Sequence, residues 1–235
     1  MTLEQMINKV HCADCLEFMK QMPDKSIDLV LTDPPYGINF QGKAKRYDVL
    51  IGDEKEFDIA PYWKEIERIT KGSAYIFTRW DIAYDWQKVI KPDKQIVLGR
   101  GKSSVGDLSN FSTEYEVILF KRFEDGFVDG TDLKIRCKHA ESPYYKKRIG
   151  DFWTDVISNQ NWEEANHPTQ KTIACCEKII KISTKENDLV LDCFLGSGTT
   201  AVACKKLNCR FIGIEISPEY CKIAEQRLKQ GVLNF

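Results

Sequence analysis

The stretch Leu191-Asp192-Cys193-Phe194-Leu195-Gly196-Ser197-Gly198-Thr199-Thr200-Ala201 decides the fold. The apolar run Leu189 to Cys193 predicts a strand, and a helix is expected over 199–206. Between them, Gly196 and Gly198 let the backbone turn tightly and approach a ligand closely. A glycine turn between strand and helix is where an open α/β sheet binds its ligand. Arg210 to Ile216 predicts the next strand. Near its end, seventeen residues beyond Gly198, stands Glu215, whose carboxylate can accept both hydroxyls of a ribose. Gly196 to Ala201 matches the loose G-x-G-x-x-G/A dinucleotide pattern but lacks the Lys of a phosphate-gripping P-loop. The turn therefore points to a nucleoside-containing cofactor and away from ATP. A helix from Pro218 to Lys229 follows, with proline in its first turn.

Working outward, the same alternation recurs. Strands are expected over 8–12, Ile27 to Thr32, Ala74 to Thr78, Gln95 to Gly99 and Tyr115 to Phe120. Helices are expected from Leu16 to Met19 and over 58–69, 80–90 and Thr169 to Ile182. This alternation predicts an α/β fold: a mostly parallel sheet with helices on both faces. Gly37 to Lys55 has no clear period and reads as a loop, as does the Gly- and Ser-rich 101–113. The segment 121–165 breaks the rhythm with Gly, Pro, aromatics and mixed charge, and reads as an irregular insert in one domain spanning 1–235.

Composition narrows the function classes. Hydrophobic residues make up 43% and charged residues 29% of the 235, an ordinary soluble mixture. No apolar run approaches the roughly 18 residues of a membrane span, so no membrane partner is expected. The N-terminus lacks the apolar core of a secretory leader. With nine Cys, that suggests reduced thiols and a cytoplasmic setting. Thirty-four Lys and Arg against 35 Asp and Glu exclude a bulk polycation, but nucleic-acid binding needs only a local basic face.

The chemistry is concentrated at Asp33-Pro34-Pro35-Tyr36, immediately after the strand Ile27 to Thr32. Two prolines end the ladder and fix the backbone. The turn can aim the Asp33 side chain and the Pro34 carbonyl at one small group. Both are acceptors, which suits an exocyclic amine with two N–H donors, while Tyr36 offers a plane for stacking on a base. An exocyclic amine is a weak nucleophile because its lone pair is delocalised into the ring. Two acceptors draw the nitrogen toward tetrahedral geometry as it attacks, stabilising charge that arises only in the transition state.

With these motifs in hand, the chain resembles the amino-group DNA methyltransferases that use S-adenosylmethionine. Asp33-Pro34-Pro35-Tyr36 looks like the family's catalytic tetrapeptide, Leu191 to Thr200 its cofactor loop and Glu215 its ribose acid. The catalytic motif precedes the cofactor loop, an order similar to the beta group. The resemblance therefore implies a Rossmann-like methyltransferase fold with circularly permuted motif order. It puts the strand at 8–12 beside the acidic strand, and the target-recognition region in the insert 121–165. Asn166-His167-Pro168-Thr169-Gln170-Lys171 looks like the segment before the cofactor helix. His11 to Leu16 looks like the opening strand and turn, with Asp14 near the cofactor adenine. Two positions depart from the pattern: Ala13 stands where Gly is usual, and Thr172 where a further Pro is common.

Carried over residue by residue, the resemblance implies Asp33, Pro34 and Tyr36 as catalytic residues. It implies Asp14, Asp33, Lys171, Asp192, Phe194, Gly196, Ser197, Gly198, Thr199, Thr200 and Glu215 as the S-adenosylmethionine site. Asp at position 33 leans toward adenine N6, because relatives acting on cytosine N4 more often carry Ser there. Either amine is buried in a duplex, so the base must be flipped out at a cost of about a few kcal/mol. Residues 121–150 hold eight Lys and Arg against five Asp and Glu. Lys134, Arg136, Lys138, Lys146, Lys147 and Arg148 are candidate contacts to double-stranded DNA. Lys43, Lys45 and Arg46 in the loop after Tyr36, and His167, join them. A homodimer and a companion restriction endonuclease are further implications of the family.

Blander readings apply elsewhere. Cys12 and Cys15 lack a second pair for zinc, so no metal site is expected. Cys193 and Cys204 read as small buried residues, and Trp63, Trp80 and Trp86 as core-facing. Trp153 and Trp162 could serve packing or DNA contact. Two other classes compete: a nicotinamide oxidoreductase, which leaves Asp33 to Tyr36 unexplained, and a non-catalytic DNA-binding protein, which predicts binding without methyl transfer.

Overall fold

The computed structural model describes residues 1–37, 57–99, 115–126, 128, 150–156 and 171–230. Along the chain these form α1 (Leu3–Met6), β1 (Lys9–Cys12), α2 (Cys15–Met19), β2 (Ile27–Thr32), α3 (Ala60–Ile69), β3 (Thr70–Thr78), α4 (Ala83–Ile90) and β4 (Lys94–Gly99). There follow β5 (Tyr115–Arg122), β6 (Phe152–Trp153), α5 (Ile173–Ser183), β7 (Leu189–Asp192), α6 (Thr199–Lys206), β8 (Arg210–Glu215) and α7 (Pro218–Lys229). The strands make one sheet in the order β1-β8-β7-β2-β3-β5-β4-β6. Only β5 runs antiparallel to its neighbours, β3 and β4. The remaining pairings are parallel. The sheet is thus mostly parallel with helices on both faces, the permuted Rossmann-like arrangement. The strand from the start of the chain docks beside the acidic strand, with Cys12 in register with Glu215.

Strand β2 explains why the sheet must be covered twice. Its side chains alternate between faces, and both faces are buried. Val30 packs with Met6, Phe18, Trp63, Ile66, Trp86 and Ile90 from α1 to α4. Leu29 and Leu31 pack with Cys175, Ile179, Ala201, Ala203 and Ala224 from α5 to α7. Gly72 lies where the β2–β3 register shifts, and a Cβ there would sit 1.9 Å from the Asp28 carbonyl oxygen. Only glycine permits that approach, which is how β3 begins directly out of α3, four residues before the expected start at Ala74.

Other differences are local. Trp80 is 54% exposed, against the expectation of a core residue. Helix α4 begins only at Ala83, so helical periodicity does not reach Trp80. Trp63, Trp86, Cys193 and Cys204 are buried as expected. The described end of the irregular insert joins the sheet as β6, parallel to β4. There Trp153 is buried, its indole N–H donates to the Gly150 carbonyl at 2.6 Å, and the Lys178 ammonium lies 4.3 Å from its ring. Trp153 therefore serves packing. Among the described residues, no helix is long and apolar enough to cross a membrane and no group of His, Cys, Asp and Glu is arranged to hold a metal.

Candidate active site

The chain leaves β7 for β8 on one side and β2 for β3 on the other, so the ends of β7 and β2 form the sheet's topological switch point. Asp192 closes β7, and Thr32 closes β2 just before Asp33. The Thr32 hydroxyl donates to Asp192 Oδ1 at 2.8 Å, tying the two turns together. Asp192 also accepts from the Phe194 amide at 3.1 Å. Burial pushes its carboxyl up to about 6, opposed by hydrogen bonds from Thr200 and Thr32.

The glycine turn is built as its composition requires. Gly196 has φ 53° and Gly198 φ 87°, conformations that L side chains rarely adopt. A Cβ on Gly198 would lie 2.8 Å from Ala224 Cβ on α7. Arg227, also on α7, braces the turn: it donates to the Ser197 carbonyl at 2.7 Å, to Ser197 Oγ at 2.9 Å and to Thr199 Oγ1 at 3.3 Å. The side chains of Ser197, Thr199 and Thr200 are buried. Turn residues can thus meet a ligand through backbone, while their hydroxyls hold the fold.

At the end of β8, Glu215 Oε2 accepts from the Gly196 amide and Oε1 from the Ser217 amide, both at 2.8 Å. Burial pushes this carboxyl up, and the amides pull it back. An ionised carboxylate has about four acceptor positions, so capacity for two ribose hydroxyls remains. Next to it, Asp14 caps α2 by accepting from the Glu17 amide at 2.9 Å and is exposed. The Ala13 amide donates to the Glu215 carbonyl at 3.0 Å, which sets the Asp14 and Glu215 turns side by side. Two acids flanking a glycine turn whose Ser197 side chain is buried fit the ribose and amino groups of S-adenosylmethionine. Phe194 stands on the same rim, 5.4 Å from the Tyr62 ring and 5.9 Å from Phe57. Phe57 in turn lies 6.1 Å from Trp86, and Trp86 lies 6.3 Å from Tyr36. These rings make one aromatic wall from the cofactor turn to the tetrapeptide.

Across the switch point, the tetrapeptide sits in a charged cluster. Tyr36 donates its hydroxyl to Asp33 Oδ1. Lys171, just ahead of α5, places Nζ 2.8 Å from Asp33 Oδ2 and 3.3 Å from Glu116 Oε2 on β5. Its ammonium also lies 5.0 Å from the centre of the Phe77 ring. Side-chain exposures are 10% for Lys171, 12% for Glu116 and 22% for Asp33. Burial works against the Lys171 charge, but the Asp33 and Glu116 carboxylates outweigh it and hold the ammonium well above its usual range. Burial also pushes the Asp33 carboxyl up, against the opposing pull of Lys171. Pro34 is buried.

The structure thus brings Asp33, Pro34, Tyr36, Lys171, Asp192, Phe194 and the glycine turn to one edge of the sheet, with Asp14 and Glu215 beside it. Lys171 stands against the tetrapeptide. Lys43, Lys45, Arg46, Lys134, Arg136, Lys138, Lys146, Lys147, Arg148, His167 and Trp162 lie outside the described residues. Sequence reasoning missed Glu116, Arg227, Phe57 and Tyr62. Glu116 carried a signal, being the sole charged residue in the run Tyr115 to Phe120.

A family model described as a DNA methylase, of N6/N4 type, matches residues 27–226, from β2 through α7. The chain belongs to this family, the S-adenosylmethionine-dependent amino-methyltransferases of DNA. Among its relatives, Type II methyltransferase M1.MboII of Moraxella bovis is 31% identical over 97% of this chain and 99% of its own length. DNA adenine methyltransferase YhdJ of Escherichia coli is 31% identical over 92% of this methyltransferase and 80% of its own length. The fold is shared with the M1.HpyAVI–SAM complex (TM-score 0.67, 23% identity, 93% and 98% of the two chains). It is shared equally with the cytosine-N4-specific PvuII DNA methyltransferase (TM-score 0.70, 15% identity, 96% and 87%).

Proposed function

We propose that this methyltransferase modifies the N6 amine of an adenine swung out of double-stranded DNA at a specific sequence. The observation that carries the reading is the Thr32–Asp192 bond, which joins the turn bearing Asp33 to the turn bearing the glycines. Asp33 Oδ and the Pro34 carbonyl accept the two amine N–H groups, and the Tyr36 ring stacks on the base. Bound S-adenosylmethionine supplies a methyl on a positively charged sulfur. Glu215 and Asp14 would hold its adenosine half, the backbone of 196–198 would face it, and Phe194 would shape its pocket. The amine would attack the methyl directly, its N–C bond forming as the methyl–sulfur bond breaks and the neutral thioether departs, so no enzyme nucleophile is needed. Its surplus proton leaves to water or through Asp33.

Adenine is favoured over cytosine N4 by the aspartate at position 33 and by the likeness to a relative named as a DNA adenine methyltransferase. The basic residues of 43–46 and 134–148, with His167, are proposed to grip phosphates, and the insert 121–165 to read the sequence. Several relatives are named as Type II methyltransferases, which supports a companion endonuclease. A homodimer and a cytoplasmic setting complete the reading. A nicotinamide oxidoreductase would leave the family match across both motifs without cause. A non-catalytic DNA binder would leave Asp33 and Tyr36 without a task.

The test is incubation of the protein with mixed-sequence duplex DNA and methyl-labelled cofactor, followed by digestion to nucleosides. N6-methyladenine at one recurring sequence is expected. N4-methylcytosine would overturn the choice of base, and label in neither nucleoside would overturn the activity.

A further inference from the structure

The proposed reaction asks Asp33 to be a strong acceptor, a task a charged carboxylate does best, in a place that burial makes costly for charge. The cluster around it supplies a remedy. Lys171 is the cation within 2.8 Å of Asp33, and it is itself 10% exposed. An ammonium so placed, beside a single carboxylate, is also open to losing its proton. Glu116 lies on the far side of Lys171 from a different element, 3.3 Å from the same nitrogen. The order Glu116–Lys171–Asp33 puts a cation between two carboxylates, with the Tyr36 hydroxyl closing the other Asp33 oxygen.

We propose that Lys171, anchored by Glu116, is a positioning residue that keeps the Asp33 carboxylate charged and aimed for the base amine. The proposal rests on the methyl-transfer reading for its purpose, though not for its physics. Neither residue touches the reacting atoms; both act through Asp33. Asp33 also takes the Tyr36 hydrogen bond on its own turn and acts electrostatically on Asp192 at the end of β7 and Cys176 on α5. Cys176 is pushed up to about 12 by burial and stays neutral near neutral pH. Asp192, pushed up by burial to about 6, titrates in the working range, so variants must be compared in proteins that all retain it.

The test combines two readouts on the full chain. In the first, the Asp33 carboxyl is labelled with 13C, assigned with Asp33→Asn, and titrated by NMR; this needs no turnover. In the second, the single-turnover methylation rate and the cofactor Kd are followed against pH. In Lys171→Met, Asp33 is expected to titrate at least one unit higher than in the wild type. The acid limb of the rate should move by the same amount, with the cofactor Kd within about twofold. Lys171→Arg should restore the acid limb, which also guards against a folding defect in the methionine variant. Glu116→Gln should pull the alkaline limb to lower pH, as Lys171 loses one of two carboxylates, and leave the acid limb at or below its wild-type position. A pair that merely braced the fold would lower the rate at every pH without moving either limb, and that result overturns the proposal. An unmoved Asp33 titration with a cofactor Kd raised tenfold overturns it too, and makes Lys171 a cofactor ligand. If Asp33 shifts as expected but even the wild type methylates no DNA, the cluster stands and the methyl-transfer reading falls.

Discussion

A single carboxylate has to do different work at Asp33 and at Asp192, and the surroundings separate the two. Asp33 has a cation at 2.8 Å; among the described residues, Asp192 has hydroxyl and amide donors. Truncating Asp33 should therefore cost chemistry. Asp33→Ala is expected to lower the methylation rate by about 100-fold or more, the scale seen when one charge-stabilising contact is lost. Its cofactor Kd should hold, because Glu215 and the glycine turn are untouched; isothermal titration checks this. Asp192 should be visible in stability. Its folded carboxyl is pushed up to about 6, above its unfolded value, so the folded state binds the proton more tightly. Stability is full below the unfolded value near 4 and is lost as pH rises through 6, by up to about 3 kcal/mol at 1.36 kcal/mol per unit. Asp192→Asn should flatten urea-melt stability across pH 4–6. A slope unchanged from the wild type would contradict that reading.

At the scale of elements, Gly198 links α6 to α7. A side chain there meets a backbone penalty of roughly 1–2 kcal/mol for the left-handed region, before the approach to Ala224 is counted. Gly198→Ala should lower the thermal midpoint by roughly 2–8 °C and weaken cofactor binding, both readable in one melt series with and without cofactor. Much of this scale was legible. The expected bounds of β2, α6 and α7 coincide with the observed ones, because Pro34, Gly198 and Pro218 punctuate strong apolar patterns. The site edge was legible for the same reason, since the glycines and prolines that mark it are local signals. Strand direction was not: a period of two is the same for parallel and antiparallel neighbours, so nothing in Tyr115 to Phe120 announces that β5 runs backwards. Two-residue β6 is too short for any pattern. Glu116 and Arg227 act on partners distant in sequence, and only packing reveals them.

For the whole molecule, the consequential fact is that β1 and α7 lie together. Asn8, Lys9 and Val10 line one cleft with Glu225, Leu228 and Lys229. The sheet order is indifferent to where the chain is cut. Joining the two ends with a short flexible linker and opening the chain at Glu186, in the turn between α5 and β7, would put the cofactor loop ahead of the tetrapeptide. That rearranged protein should fold with native far-UV circular dichroism and bind cofactor with a Kd within about tenfold. Failure to fold would mean that the strand order depends on the native connectivity.

The bond between the Thr32 hydroxyl and Asp192 has one more consequence. The turns bearing the glycines and Asp33 hang from adjacent parallel strands, whose spacing is about 4.8 Å in any sheet. The separation of the two turn roots is therefore set by the sheet, and exchanging loops elsewhere leaves it unchanged. Replacing the insert 121–165 should therefore leave the Thr32–Asp192 tie, and the pairing of β2 with β7, as they are.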